Sequence, residues 1–161
     1  AQSQTTQALA TRFDGAMSLY FYKNTLRMLN QTDDKEFDEL IKNIEKLKFM
    51  MIDKGSDGFT AADYKKLVGD YKKESYEEIM TSRFEGRNFD VYLKESSGKT
   101  KGMIVLANDA TSLFVLDLLG SVDINKVPQL FKQINESSDI GKMIKAFGDD
   151  HGKKSDDDDD N

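Results

Sequence analysis

The stretch KGMIVLANDATSLFVLDLLGSVD, residues 101–123, is the most apolar part of this chain. Its two apolar runs, Met103 to Leu106 and Leu113 to Leu119, contain Asp117 as their one charged residue and are separated by polar residues. Neither run approaches the roughly 18–20 apolar residues that are needed to span a bilayer. A strand that is covered on both faces loses the alternation of apolar and polar side chains. The stretch therefore predicts two central strands of a buried sheet, joined at Asn108-Asp109.

Four segments with strand character follow one another in this half of the chain, beginning near Glu77, Asn88, Lys101 and Ser112. The connections between them are short, and two of them, EGR and SSG, contain the glycine that tight hairpin turns favour. Strands joined by such turns pair with their neighbours in antiparallel order. The segment therefore predicts a four-strand antiparallel meander.

Two further strands are predicted earlier in the chain. MSLYFY, residues 17–22, and KLKFMMID, residues 46–53, both show the period-two alternation of a strand. In MSLYFY the methionine, leucine and phenylalanine share one face, which leaves Tyr20 and Tyr22 on the other, exposed face.

Segments with helical spacing lie between these strands and after them. Apolar residues recur at i, i+3, i+4 and i+7, the pattern of an amphipathic helix that packs one face against a core. The residues that carry this pattern are Phe37, Leu40, Ile41 and Ile44, then Tyr64, Leu67, Val68 and Tyr71, and then Ile140, Met143, Ile144 and Phe147. A further helix, which begins near Pro128, would turn Leu130, Phe131 and Ile134 toward the sheet. The order of elements predicts an α+β fold, in which an antiparallel sheet contains the four-strand meander and helices pack mainly on one face.

The chain divides into three parts. Residues 1–12 lack apolar periodicity and predict a flexible leader, and residues 13–148 predict a single α+β domain. Residues 149–161 contain no apolar side chain and predict a disordered acidic tail. Within the domain, the unbroken run from Leu113 to Leu116 suggests that both faces of the sheet are covered, by helices on one side and by a partner on the other.

Composition excludes several classes of function. The 161 residues include 23 Lys and Arg against 29 Asp and Glu, a formal net charge of −6, which argues against binding to nucleic acid or anionic lipid. Because the chain has no cysteine, thiol catalysis, zinc thiolate sites and disulfides are excluded. His151 is the only histidine, which excludes histidine triads and multi-histidine metal sites. The polar segment that begins at Ala1-Gln2 is typical of cleavage after a small residue and favours export.

The order of elements resembles that of a known family. An aromatic strand after FDG leads through a helix to KLKFMMID, and a further helix leads to YEEIMTSRFEGRNFDVYLKE, the apolar hairpin and a closing helix. From Phe13 to Ile134 this pattern resembles the domain of unknown function family 4252, small exported proteins of Gram-negative bacteria. The closest features are the Glu85-Gly86 turn, the apolar hairpin and the GSVDI junction. The resemblance implies an α+β fold and export to the periplasm or cell envelope, and it transfers no catalytic residue.

Within the GSVDI junction, Gly120 and Asp123 match the family by position. Their residue types suit structural roles, because glycine allows a chain reversal and aspartate caps a helix. We therefore expect neither of them to be a site residue.

The loop DKGSDGFTAADY, from Asp53 to Tyr64, partly matches a calcium-binding loop of the EF-hand type. Such a loop needs oxygen ligands at positions 1, 3 and 5, glycine at position 6 and glutamate at position 12. Asp53, Asp57 and Gly58 fit positions 1, 5 and 6, whereas Gly55 and Tyr64 stand at positions 3 and 12 without the required carboxylate or amide oxygens.

The alternative for this loop is a strand-to-helix turn, with Thr60 as N-cap and Asp63 three residues on, beside the positive end of the helix. We favour that turn. The run Asp156 to Asp160 would attract divalent cations only loosely, because ordering five carboxylates on a floppy chain costs entropy, and a solubilising or interaction tail is favoured. We predict no metal site and no bound cofactor.

No catalytic constellation is found in the sequence, since serines occur in turns without a GxSxG elbow and phosphate-binding loops are absent. Tyr20 and Tyr22 offer an exposed aromatic edge where a partner could dock, although edge packing explains them as well. We expect a non-catalytic, exported cell-envelope binding or accessory module for an unknown protein or small ligand, without nucleic acid and without a transmembrane segment. The alternatives are a small-ligand or calcium-responsive binding protein and, third, a carboxylate-dependent hydrolase.

Overall fold

The computed structural model of this chain describes residues 3–28 and 35–136, the side chains of 134–136 excepted. The described part forms a six-stranded sheet in which every neighbouring pair is antiparallel. Its strands are Met17–Tyr22 (β1), Ile44–Asp53 (β2), Glu77–Phe84 (β3), Arg87–Ser96 (β4), Lys99–Asn108 (β5) and Ser112–Gly120 (β6). They are ordered β1-β2-β6-β5-β4-β3, which confirms the meander from β3 to β6.

Helices precede, connect and follow these strands. They are Gln4–Arg12 (α1), Lys23–Met28 (α2), Lys35–Ile41 (α3), Ala61–Lys73 (α4) and Val127–Glu136 (α5), the last preceded by a 3₁₀ turn, Ile124–Lys126. The α+β class is therefore confirmed. None of the helices in residues 3–28 and 35–136 combines the length and the apolar character that crossing a membrane requires.

The apolar hairpin lies at the centre of the sheet, as its sequence predicts. β5 and β6 pair in register with Val105 opposite Leu116 and Leu106 opposite Val115. All side chains from Leu113 to Leu118 are buried. The turn between the two strands is fixed by Asp109, whose Oδ1 accepts the N–H groups of Thr111 and Ser112 at 2.9 and 2.8 Å.

Glycines close the chain reversals. In the β3–β4 turn, Glu85 and Gly86 both have positive φ, 52° and 79°, which is the geometry of a type I′ hairpin. At the end of β6, Gly120 has φ of 108°, and a Cβ there would lie 2.2 Å from the carbonyl oxygen of Asn43. Glycine is therefore required at position 120 by both conformation and space, as expected for a chain reversal.

Three helices, α2, α3 and α5, pack on one face of the sheet. Phe114 of β6 lies at the centre of this layer, with ring centroids 5.8 Å from Phe49 and 4.9 Å from Phe131 of α5. Leu130 and Phe131 are buried, as predicted. Asp123 caps the 3₁₀ turn that precedes α5 by accepting the N–H of Asn125 at 3.0 Å.

One helix boundary differs from the prediction. Ile44, expected as the fourth apolar residue of a helix, is the first residue of β2, because α3 ends at Ile41. The pairing with β6 is irregular between Ile44 and Lys46, so Ile44 and Leu47 reach the same core although three positions separate them. The irregularity at the start of β2 therefore places Ile44 at a helix-like distance in sequence from the apolar residues of α3.

The second face of the sheet is covered by α1 and α4 of the same chain, which corrects the expectation that a partner covers it. Leu9 of α1 and Leu67 and Tyr71 of α4 pack with Ile104 and Val115 of the sheet in one buried cluster. Because the chain supplies its own second layer, the central strands are apolar on both sides.

Residues 4–12, predicted as a flexible leader, instead form α1. Leu9 is the one large apolar side chain in this helix, which explains the weak periodicity. Polar contacts, described below, hold its N-terminal end. The predicted helix around Ile140 and the predicted tail 149–161 lie outside the described residues.

Candidate functional site

A pocket of about 460 Å³ opens between α1 and the edge strand β1. Three neighbouring strands supply its base and one side: Tyr20 and Tyr22 from β1, Lys46 and Lys48 from β2, and Asp117 from β6. Residues Ser3, Thr6 and Gln7 of the N-terminal segment supply the opposite wall. The described part of the chain thus has a cavity within the usual size range of small-ligand pockets, roughly 300–1,000 Å³.

Strand register brings the polar base of the pocket together. Tyr20 lies opposite Lys48, and Lys48 lies opposite Asp117, so the three form one row across β1, β2 and β6. Tyr22 and Lys46 form the adjacent row. Because side chains two positions apart point to the same face, both rows face α1.

The two lysines lie against the two exposed tyrosine rings. The ammonium nitrogen of Lys46 is 5.3 Å from the ring centroids of both Tyr20 and Tyr22, and that of Lys48 is 5.0 Å from the Tyr20 centroid. Tyr20 and Tyr22 are 50% and 57% exposed, which confirms the predicted outward face of β1, whereas Lys48 is only 5% exposed. The described ion pairs of the chain involve neither lysine.

The beginning of α1 is fixed by two carboxylates. The N–H of Ser3 donates to Asp117 at 3.1 Å, and the N–H groups of Gln4 and Thr5 donate to Glu74 at 2.8 and 3.0 Å. Carboxylates suit this place, because the N-terminus of a helix has free N–H donors and a positive dipole end. The wall of the pocket is therefore held by polar contacts from β6 and from the end of α4.

The hydroxyl groups of this wall also make structural hydrogen bonds. Ser3 caps α1, since its Oγ accepts the N–H groups of Thr5 and Thr6 at 3.1 and 3.3 Å and donates to Glu74. The hydroxyl of Thr6 bonds that of Tyr71 at 2.6 Å. These hydroxyls stabilise the docking of α1.

Asp117 is the buried acid of the pocket, with 1% of its surface exposed. Burial raises its pKa to about 6, although hydrogen bonds from Thr6 and Ser3 and the nearby charge of Lys48 act to lower it. The charge of Glu74 adds to the increase. Asp117 therefore exchanges its proton in a mildly acidic range.

Glu74 has the opposite behaviour. Burial acts to raise its pKa, but hydrogen bonds from Ser3, Thr5 and Gln4 outweigh it and leave the pKa below the ordinary value for glutamate. Glu74 therefore stays ionised at the helix N-terminus while Asp117, a few ångströms from the same helix end, gains a proton more readily.

The loop from Asp53 to Tyr64, which partly matches a calcium-binding loop, has the geometry of a structural turn. Asp53 Oδ1 accepts the N–H groups of Gly55 and Ser56 at 3.1 Å each, and Asp57 accepts the N–H of Asp53 at 3.0 Å. These carboxylates therefore accept hydrogen bonds from the backbone of the loop itself and stabilise its turn. Within residues 3–28 and 35–136, no three histidine, cysteine or carboxylate side chains are grouped as a metal site requires.

The end of the same loop begins α4 with the predicted capping box. The N–H of Asp63 donates to Thr60 Oγ1 at 3.2 Å, and the N–H of Thr60 donates to Asp63 at 2.9 Å. The Tyr64 hydroxyl donates to Asp90 of β4. Gly58, with φ of 68°, turns the chain just before this cap.

Sequence reasoning found parts of the pocket but not the whole. Tyr20 and Tyr22 are identified as an exposed pair, and Asp117 as the one charge in the apolar runs. Lys46 and Lys48 and the wall from α1 were missed as site residues. The signal available was Asp117 itself, because a carboxylate in a buried strand needs polar neighbours. Asp156 to Asp160 and His151 lie outside the described residues.

Residues 12–130 match the family described as Domain of unknown function (DUF4252), and the chain belongs to this family. The resemblance noted from the order of strands and turns is thereby confirmed. Comparison with curated proteins and with solved structures gave no match.

Proposed function

We propose that this member of the DUF4252 family is a non-catalytic binding module of the Gram-negative cell envelope that takes a small ligand into the pocket between α1 and β1. The observation that carries the proposal is the pocket itself. Aromatic rings, two cations and a buried acid converge on a cavity of about 460 Å³. A few polar groups around a formed cavity are the usual arrangement of a ligand site.

The chemistry of the pocket lining supports binding over catalysis. Nucleophilic catalysis needs a hydroxyl activated by an adjacent base. Here Ser3 Oγ caps α1 and donates to Glu74, and the Thr6 hydroxyl bonds Tyr71. The pocket's hydroxyls thus position the helix, and the rings and ammonium groups form the surface that a ligand would meet.

The envelope location is supported by the resemblance noted in the sequence, which implies export to the periplasm or cell envelope. A periplasmic binding module would meet its ligand in the aqueous space between the membranes. Cell fractionation of the natural host, with an antibody against this chain, tests the location independently of the ligand.

A retention experiment tests binding in the pocket. The purified protein is incubated with a small-molecule extract of a Gram-negative envelope, desalted by gel filtration and analysed by native mass spectrometry. Gln7 and Gln4 are both exposed on α1, but only Gln7 lines the pocket. We expect Gln7→Trp to abolish retention by filling the pocket and Gln4→Trp to leave it unchanged. Equal retention by both variants, or none by the parent, would contradict the proposal.

A further inference from the structure

We propose that the ligand of this pocket is an organic anion, whose carboxylate, phosphate or sulfonate group lies against Lys46 and Lys48 and whose apolar part lies against Tyr20 and Tyr22. This inference rests on the proposed function, because it names the ligand class of the same pocket. It goes beyond that function by assigning the two lysines as the groups that select charge.

The two ammonium groups lie beside the same aromatic ring. Lys46 and Lys48 lie two positions apart on β2, so their side chains leave the same face of the sheet. Both ammonium nitrogens lie within about 5 Å of the same Tyr20 ring centroid, at 5.3 and 5.0 Å. Two like charges around one ring repel each other, and an anion bound near both of them offsets that repulsion.

The charge of the pocket lining favours an anion. Its ionisable groups with a charge near neutral pH are two lysines and Asp117, which sum to +1 with Asp117 ionised and to +2 with Asp117 protonated. Lys48 is almost wholly buried, so solvent screens its charge less than that of a surface lysine. An anion beside Lys48 is therefore attracted most strongly when Asp117, the neighbour of Lys48 on β6, is protonated.

The tyrosine rings define the other half of the ligand. Tyr20 and Tyr22 line the pocket from the edge strand β1, and both residues are about half exposed. Exposed rings beside a cavity offer an apolar surface for the body of a ligand whose charged group is deeper. An anion attached to a ring or an alkyl chain fits both halves, whereas an inorganic ion would use only the lysines.

Asp117 makes the affinity for such an anion depend on pH. It is faced by Lys48 on β2, by Ser3 and Thr6 at the start of α1, and by Glu74 and Tyr71 on the α4 side, with Tyr76 nearby. Glu74 stays ionised and the tyrosines stay neutral in mild acid, because the pKa of Glu74 is lowered and burial raises those of Tyr71 and Tyr76. Protonation of Asp117 therefore removes the one negative charge that lines the pocket, and anion affinity rises in acid.

Benzenesulfonate and its neutral analogue benzenesulfonamide are suitable probes, because they share a ring and a sulfonyl group and the charge of the anion is constant between about pH 5 and about pH 7.5. Isothermal titration at low salt should show binding of the sulfonate but not the sulfonamide. Lys46→Gln and Lys48→Gln should each weaken sulfonate binding about tenfold. Lys94→Gln is the matched control, since Lys94 also lies over a tyrosine ring, 5.5 Å from that of Tyr76, but outside the pocket.

Acidification completes the test. The affinity of the parent for benzenesulfonate should rise about fivefold from pH 7.5 to pH 5, and that of Asp117→Asn should not change. Circular dichroism of each variant confirms that it is folded. If the sulfonamide binds as tightly as the sulfonate, or if Lys46→Gln binds like Lys94→Gln, the anion assignment is wrong. In that case retention of an envelope compound by the parent but not by Gln7→Trp would still support the pocket as a binding site.

Discussion

Replacing Asp117 with Asn should change how the stability of the fold depends on pH. Burial raises the pKa of Asp117 from 3.8 to about 6, so the native state holds this proton more tightly than the unfolded chain. The stability that Asp117 contributes is therefore full below its unfolded pKa and is lost as the pH rises through about 6. Asn does not titrate. The free energy of unfolding of Asp117→Asn, relative to the parent, should rise by roughly 2–3 kcal/mol from pH 4 to pH 7.5.

Urea unfolding followed by circular dichroism across this pH range measures the difference. Glu74→Gln is a control of opposite sign, because a lowered carboxyl pKa gives stability that is present at neutral pH and lost in acid. Relative to the parent, that variant should lose stability as the pH rises. A difference between Asp117→Asn and the parent that stays constant with pH, or that falls, would refute the assignment of Asp117 as a buried acid with a raised pKa.

Three further predictions concern the fold and the loop. Phe114→Ala should lower the free energy of unfolding by about 3–5 kcal/mol in urea, because its buried ring packs against two others; a loss below about 1 kcal/mol would contradict its central position. Gly120→Ala should cost more than about 2 kcal/mol, whereas Gly86→Ala, with positive φ but open space, should cost about 1 kcal/mol; equal losses would contradict the close approach of the chain at Gly120. Calorimetric titration should show no calcium site tighter than about millimolar, since the loop aspartates accept backbone N–H groups, and a micromolar site abolished by Asp57→Ala would overturn this.

The central hairpin and the meander could be predicted because their determinants are local. The apolar runs of β5 and β6 are long, and the connections at Glu85-Gly86 and Asn108-Asp109 carry the residues that tight turns need. The place of β2 in the strand order could not be predicted in the same way. It pairs with β6, about 60 to 75 residues further along the chain, and short-range patterns do not indicate such a pairing.

α1 was not predicted, because the helix is not held in place by a periodic apolar face. Its N-terminal N–H groups bind Asp117 and Glu74, two acids that are distant in sequence, and Leu9 is its main apolar anchor. The pocket could not be predicted either, because its lining residues are also distant in sequence. Its walls come from the start of the chain and from three strands, and only the folded sheet brings Lys48 beside Tyr20 and Asp117.

Lysine footprinting tests the central claim, that the pocket is a ligand site, most directly. The folded protein is acetylated for a short time with and without the envelope extract, and modification of each lysine is quantified by mass spectrometry. Lys46 and Lys94 are both partly buried and both lie over tyrosine rings, but only Lys46 lines the pocket. We predict that the extract protects Lys46 severalfold and leaves Lys94 unchanged. Retention of an envelope compound without protection of Lys46, or with equal protection of both lysines, would contradict the account.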